Sequence, residues 1–254
     1  MRLLTMARDL TRRKARERDG MFVVEGIRAC EELARSPLEV VGVLGAPQLA
    51  TSERGVALRR AFAERDVPLF DVTDKEFQSA SATESPQGVL AVARSPTYRF
   101  DSEELLARDT IRLLVLDGVQ DPGNVGTLIR TAGALGADAV VALPGTVDVW
   151  NAKVVRSAMG AHFHFPAVHA TWEALQQFCA SHAIALWGAE LGGTDVAALR
   201  PPARLALVVG NEGSGLSVPV REALAQRVTL PISAIVESLN VAVAAGILLH
   251  QLRP

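Results

Sequence analysis

Three stretches of the 254-residue chain carry side chains whose types and spacing could do chemistry. Residues 117–125 read DGVQDPGNV, and Arg130 follows a short way beyond Asn124. Residues 208–217 read VVGNEGSGLS, with Glu212 set among three glycines, and residues 228–244 read VTLPISAIVESLNVAVA. None of the three contains a histidine or a cysteine. The polar side chains in or beside them include a guanidinium (Arg130), a carboxylate (Glu212), a hydroxyl (Ser238) and two amides (Asn124, Asn240).

Gly210, Gly213 and Gly215 let backbone groups approach a ligand closely or take positive φ, and the apolar run 205–209 before them reads as a strand. The stretch is either the strand-to-loop mouth of a binding site or a glycine-rich surface turn. The run 111–116 reads as another buried strand, followed by the loop 117–125, whose Pro122 and Gly123 precede a helix running to about residue 135. On that helix Val125, Leu128, Ile129, Ala132 and Leu135 share one face, and Arg130 points away from it. Such an arginine is either simply solvated or converges with Asn124 above the strand end, where ligands bind in open α/β sheets. Ser238 and Asn240 open the last helix, 238–252, and are also placed to cap it.

These residues need a scaffold, and the pattern supplies one of alternating strands and helices. In the first half, strands are expected at 22–25, 38–44, 67–72 and 88–93, with helices from residue 27, at 52–65 and at 73–80. Pro96, the lone Tyr98 and several charges interrupt the pattern. The expected organisation is a small α/β domain over 1–95, a linker over 96–110 and a second α/β domain over 111–254. The second domain's remaining strands are expected at 138–143, 163–168, 183–188 and 227–230, its helices at 151–159, 171–182 and 218–226, and its loops at 191–202 and 231–237. The last helix is apolar on nearly all sides, which predicts burial in the core or against a second subunit.

Net charge is −2 and the pI is near 6.2, which argues against a uniformly cationic surface but not against a local basic patch. Arg8, Arg12, Arg13, Lys14, Arg16 and Arg18 outnumber the acids between them and read either as a helical arm for an anionic partner or as a solvated helix face. Only Lys14, Lys75 and Lys153 are lysine, so arginine dominates. His162, His164 and His169 form the only histidine cluster; alternation along a strand accounts for it, and no metal site is expected. Cys30 and Cys179 read as separate buried thiols in a reducing compartment. No signal peptide or membrane segment is expected, and the expected location is the cytoplasm. No GxGxxG follows any expected strand, which argues against a Rossmann dehydrogenase.

Taken together and in order, LDGVQDPGNVGTLIRTAGALGADAVV from Leu116, VVGNEGSGLS from Val208 and VTLPISAIVESLNVAVA from Val228 resemble the three motifs of the SpoU (TrmH) family of RNA ribose 2′-O-methyltransferases, in the SPOUT class. Residues 22–44, FVVEGIRACEELARSPLEVVGVL, resemble the substrate-binding domain of ribosomal-RNA members. The resemblance implies a C-terminal SPOUT α/β domain threaded into a trefoil knot, preceded by a small α/β substrate-binding domain. It implies S-adenosylmethionine as cofactor, held by Gly210, Asn211, Leu230, Ile232 and Leu239 with Gly188 at the edge. Arg130 matches the catalytic arginine, and Asn124, Glu212, Ser238 and Asn240 match the other polar positions of the reaction site. Homodimers are usual in the family. The implied partner is RNA, with Arg8–Arg18 as a binding arm; large-subunit ribosomal RNA is the expected target, and transfer RNA or a catalytically silent RNA-binding protein of the same fold are the alternatives. Ile232 stands where methionine is common and Ala234 where glycine is common. If position 234 needs positive φ, the added Cβ costs about 1 kcal/mol.

Overall fold

The computed structural model describes residues 2–253. In chain order the first elements are α1 (Arg2–Asp9), α2 (Arg13–Asp19), β1 (Met21–Glu25), α3 (Ile27–Arg35), β2 (Val40–Gly45), α4 (Glu53–Ala63), β3 (Leu69–Asp71), α5 (Asp74–Gln78) and β4 (Val89–Arg94). There follow α6 (Glu103–Leu106), β5 (Ile111–Asp117), α7 (Pro122–Ala134), β6 (Ala139–Ala142), α8 (Ala152–Ser157), β7 (Ala167–His169) and α9 (Trp172–Ser181). The chain closes with β8 (Ala185–Asp195), β9 (Arg204–Gly210), α10 (Val218–Glu222), β10 (Gln226–Thr229) and α11 (Val241–Gln251). It gathers into two compact units. One runs through Thr97 and recovers Trp150–His164; the other holds Tyr98–Val149 and the chain from Phe165 onward.

In the first unit the sheet order is β1-β4-β2-β3, with β4 antiparallel to both neighbours and β2 parallel to β3. Period-2 alternation sorts its side chains between two faces. Phe22, Val24, Val43 and Ala91 pack with Cys30, Leu33, Leu58 and Phe62 of α3 and α4, and with Val155 and Phe163. Val23, Leu44, Leu90 and Val92 pack with Leu3, Leu4 and Ala7 of α1 and with Phe77. A central strand apolar on both sides is thus explained by helices on both faces. Segment 150–164, expected in the second domain, packs with the first unit.

In the second unit the sheet order is β10-β8-β9-β5-β6-β7, and every pairing is parallel. Parallel strands bring all their C-terminal ends to one edge, and the edge at the centre, where β5 meets β9, carries the polar motifs. One face of the sheet buries Leu113, Val115, Val141, Ala206 and Val208 against Leu175 and Phe178 of α9. Leu105 of α6 and Phe100 join that core, so part of the expected linker is structural. Helix α11 packs against α7, and Gly246 lets Thr131 come near, since a Cβ there would lie 3.3 Å from its methyl.

Three further expectations are corrected. The strand expected at 163–168 is present only at its end: Ala161–Phe163 is a 3₁₀ turn, and β7 starts at Ala167, because Phe163 is drawn into the first unit's core. The expected loop from 191 is partly strand: β8 continues to Asp195, its pairing with β10 jumping from Gly188 to Thr194 across a bulge. The last helix begins at Val241, not 238, and it is not buried all round, since Val243 and Ile247 are exposed.

Candidate active site

The site begins where β5 and β9 end side by side, with Asp117 opposite Gly210. Buried Asp117 accepts the Ser217 N–H at 2.6 Å, fastening the far end of the glycine loop. Asn211 and Gly215 exchange N–H···O bonds of 3.0 Å each. The Asn211 side chain donates to the Gly118 carbonyl at 2.8 Å, and its Oδ1 accepts from the N–H groups of Gly213 (2.9 Å) and Ser214 (3.0 Å). The stretch is therefore a stapled hairpin rather than a slack turn. A Cβ on Gly210 would lie 2.3 Å from the Gly215 carbonyl carbon, so glycine is required there by close packing. On Gly188 it would lie 2.4 Å from Leu224 and 2.7 Å from Leu216; that glycine makes room for two leucines.

Pro122 opens α7 and Asp121 caps it, accepting the Asn124 N–H at 2.7 Å. This fixes the Asn124 side chain at the helix start. Asn124 Nδ2 donates to Glu212 Oε1 at 3.0 Å, and Asn124 Oδ1 accepts from Asn240 Nδ2 at 2.9 Å. Asn240 in turn caps α11, its Oδ1 accepting from Ala242 (2.9 Å) and Val243 (3.3 Å). Glu212 also accepts the N–H groups of Gln120 and Asp121, each at 3.3 Å. One hydrogen-bonded chain, Glu212–Asn124–Asn240, thus joins three segments far apart in sequence. Partial burial pushes the Glu212 carboxyl up, but the Asn124 amide, its own backbone N–H and those of Gln120 and Asp121 outweigh it and hold the group below its ordinary value.

Arg130 is exposed on α7 and, among the described residues, has no hydrogen-bond or ion-pair partner. Ser238 is likewise exposed, has no side-chain partner among the described residues, and lies before the α11 cap rather than on the helix. Leu230 and Ile232 are half-buried just beyond β10, and Leu239 is exposed. Ala234 is not among the non-glycine residues with positive φ, which are Asp66, Met159 and Ala183, so the expected penalty does not arise. Asp117 and Asp121 carry anchoring roles that the sequence reading missed. An aspartate just before a proline that opens a helix was a readable cap signal for Asp121.

The basic arm is less free than its composition implies. Arg12 pairs with Asp9, Arg13 with Glu17 and Arg18 with Asp19, while Arg8 donates to Ser79 Oγ. Arg16 is buried, its Nη1 donating to the Leu10 (2.7 Å) and Thr11 (2.9 Å) carbonyls where α1 ends. It is corrected from the expected RNA-facing set to a structural residue. Lys14 is exposed and unpaired among the described residues. His162 is buried in its 3₁₀ turn, His164 is exposed, and His169 accepts the Val149 N–H at 3.2 Å. Among the described residues no group of three His, Cys, Asp or Glu could hold a metal ion. Burial raises both thiols, Cys179 to about 12 and Cys30 further.

The parallel sheet, with its hydrogen-bonded glycine hairpin and capped terminal helix at the C-terminal edge, matches solved SpoU methyltransferases in fold. The crystal structure of the SpoU methyltransferase AviRb from Streptomyces viridochromogenes in complex with AdoMet superposes with a TM-score of 0.85 at 27% identity, covering 98% of this chain and 96% of that one. The pattern of the SpoU rRNA Methylase family matches residues 112–250, and that of the MRM3-like substrate binding domain matches residues 5–91. The chain belongs to the SpoU rRNA methylase family. The 23S rRNA (guanosine(2553)-2'-O)-methyltransferase RlmP of Bacillus subtilis is 35% identical to it over 242 residues, covering 95% of this chain and 92% of RlmP. The 23S rRNA (uridine(2479)-2'-O)-methyltransferase of Streptomyces viridochromogenes is 28% identical over 249 residues, covering 95% and 85%.

Proposed function

We propose that this chain transfers a methyl group from S-adenosylmethionine to a ribose 2′-hydroxyl in large-subunit ribosomal RNA. The observation that carries the reading is the Glu212–Asn124–Asn240 chain at the strand ends, whose Asn124 shares α7 with Arg130, a side chain that has no partner among the described residues. Named relatives that match nearly the whole chain methylate 23S rRNA at ribose, which supports the choice of RNA.

The residues beyond β10 fit the cofactor. From Leu230 to Leu239 only Ile235 and Val236 donate a backbone N–H within the protein, among the described residues. Free main-chain groups beside half-buried Leu230 and Ile232 suit a nucleoside, which offers an apolar ring face and hydrogen-bonding edges. Leu230, Ile232 and Leu239 with Gly210 and Asn211 would hold it, and Gly188 contributes indirectly by seating Leu216 and Leu224. When bound, S-adenosylmethionine supplies an electrophilic methyl on a sulfonium.

The protein's part is to align the ribose oxygen for an in-line displacement and to help it lose a proton. A guanidinium keeps its proton at neutral pH and offers five N–H donors and no acceptor. Arg130 therefore acts as a cation, gripping a phosphate beside the target ribose and stabilising the developing alkoxide. Asn124, held from both sides, and Asn240 position the ribose, Glu212 orients Asn124, and Ser238 offers a free hydroxyl to the substrate.

A second copy of the chain is the partner that suits α11. Val243 and Ile247, one helical turn apart, are exposed with Leu239, Val236 and Ile235, the last 91% exposed. The trefoil threading of the last elements and a cytoplasmic location belong to the same reading. Among the described residues no helix is long and apolar enough to cross a membrane.

The test is incubation with radiolabelled S-adenosylmethionine and unmodified ribosomal and transfer RNA transcripts, beside Arg130→Ala. Label in the large-subunit transcript, lost in the variant, is the expected result. Label confined to transfer RNA, or cofactor binding with no transfer to any transcript or ribosomal particle, would overturn the reading.

A further inference from the structure

The first unit contains a cavity of about 500 Å³ at the start of α3, and its wall is rich in hydrogen-bond donors. Arg28, Arg54 and Arg156 all line it. Arg156 Nη1 is buried there without a hydrogen-bond partner, an expensive arrangement for a cation unless a ligand completes it. The Arg28 side chain has no partner among the described residues. Arg54 is gripped by Glu31 through Nε (3.0 Å) and Nη2, which leaves its Nη1 available.

The backbone adds to this. Helix α3 starts after Gly26 with no side-chain cap, and the Ile27 N–H donates to Gln87 Oε1 at 2.9 Å. The next two N–H groups, of Arg28 and Ala29, have no acceptor among the described residues, at the end of the helix where the dipole favours an anion. Gly26 has φ +98°, which L side chains rarely adopt, and a Cβ there would lie 3.2 Å from Gln87 Oε1. The one carboxylate in the wall, Glu25, is already occupied. Its oxygens accept from Ser81 Oγ, from Thr83 Oγ1 at 2.8 Å and from the Ala82 N–H at 2.9 Å.

We infer that this cavity is an anion site for a backbone phosphate of the RNA substrate, a second point of attachment within the substrate-binding unit. The inference rests on the proposed RNA methyltransferase function. Guanidinium forks and free main-chain N–H groups match phosphate oxygens in charge and in donor count, and they carry no sequence information, so the site fixes register rather than reading bases. It also gives the first unit a cationic surface that the self-paired residues of α2 do not provide.

The test uses the full chain and the variants Arg28→Gln and Arg156→Gln, with circular dichroism and S-adenosylmethionine calorimetry as folding controls. Binding of an unmodified large-subunit rRNA transcript is titrated over a range of KCl concentrations. The expected result for each variant is RNA affinity lower by about tenfold at moderate salt and a log–log salt slope shallower by about one, with cofactor affinity unchanged. Inorganic pyrophosphate should raise the melting temperature of the wild-type chain and not that of Arg156→Gln. If wild type binds and methylates the transcript while both variants keep its affinity and slope, the phosphate site is refuted and the methyltransferase stands. If wild type neither binds nor methylates any RNA, the functional reading falls, and the RNA site with it. Arg28 is exposed, so Arg28→Gln decides the matter should Arg156→Gln fail to fold.

Discussion

Replacing Glu212 by alanine separates what the site does for stability from what it does for chemistry. The change removes one acceptor from three donors: Asn124 Nδ2 at 3.0 Å and the Gln120 and Asp121 N–H groups at 3.3 Å. Hydrogen bonds to a charged acceptor contribute about 1.5–3 kcal/mol each when sequestered. All three donors here lie at the surface, so water takes over most of what is lost. The expected net destabilisation is about 1 kcal/mol, a fall in melting temperature of roughly 2–4 °C for a domain of about this size. Chemistry should suffer far more. Without Glu212 the Asn124 amide can rotate, and a misplacement on the order of 1 Å at a reacting centre costs about 100-fold. Single-turnover methyl transfer to RNA, with melting measured in parallel, reads both. A transfer rate within about threefold of wild type, or a melting loss well beyond the estimate, would refute the account of Glu212 as an orienting carboxylate. The acid limb follows from the same contacts. With its folded pKa held below the unfolded value, Glu212 contributes stability that is fully present above the unfolded pKa and is lost as pH falls through the lower, folded one.

Gly210→Ala forces a Cβ to 2.3 Å from the Gly215 carbonyl carbon; a loss of about 2 kcal/mol or more and a matching loss of cofactor affinity are expected from melting and calorimetry. Arg16→Ala strips a buried guanidinium from the Leu10 and Thr11 carbonyls and should cost about 2–3 kcal/mol in denaturant unfolding, while leaving the salt slope of RNA binding unchanged. Ile247→Asp sets a charge on the outward apolar row of α11; sedimentation should show monomers where wild type forms dimers, and a wild-type monomer would refute that interface.

Much of the architecture was legible because local chemistry and tertiary packing agree. Pro122 announces α7, and the face of Val125, Leu128, Ile129 and Ala132 is buried as the period requires. The convergence of Asn124, Glu212 and Asn240 followed from their matching the family's motifs, though their bonding order is visible only in three dimensions. Misreadings arose where context overrode pattern. Phe163 looked like the start of a strand because it is apolar beside alternating histidines, yet its burial serves another sheet. The polar, glycine-bearing 191–195 stretch looked like loop, but a bulge lets its end pair with β10. Arg16 and Arg156 resemble any solvated helix arginine in sequence; only the carbonyls around one and the buried nitrogen of the other set them apart.

The return of Trp150–His164 to the first unit has a consequence for how such a chain can be cut or inherited. The polypeptide passes between the units at three places, after Thr97, after Val149 and after His164, so neither unit is a continuous segment. A fragment beginning at Tyr98 would carry Trp150, Val155 and Phe163 without the Phe22 cluster that buries them, leaving a sticky apolar insert between β6 and β7. A new substrate-binding module cannot be grafted at one junction. Recombination that exchanges it must exchange the 150–164 insert as well, and the two pieces of the first unit's core are therefore expected to travel as a matched pair.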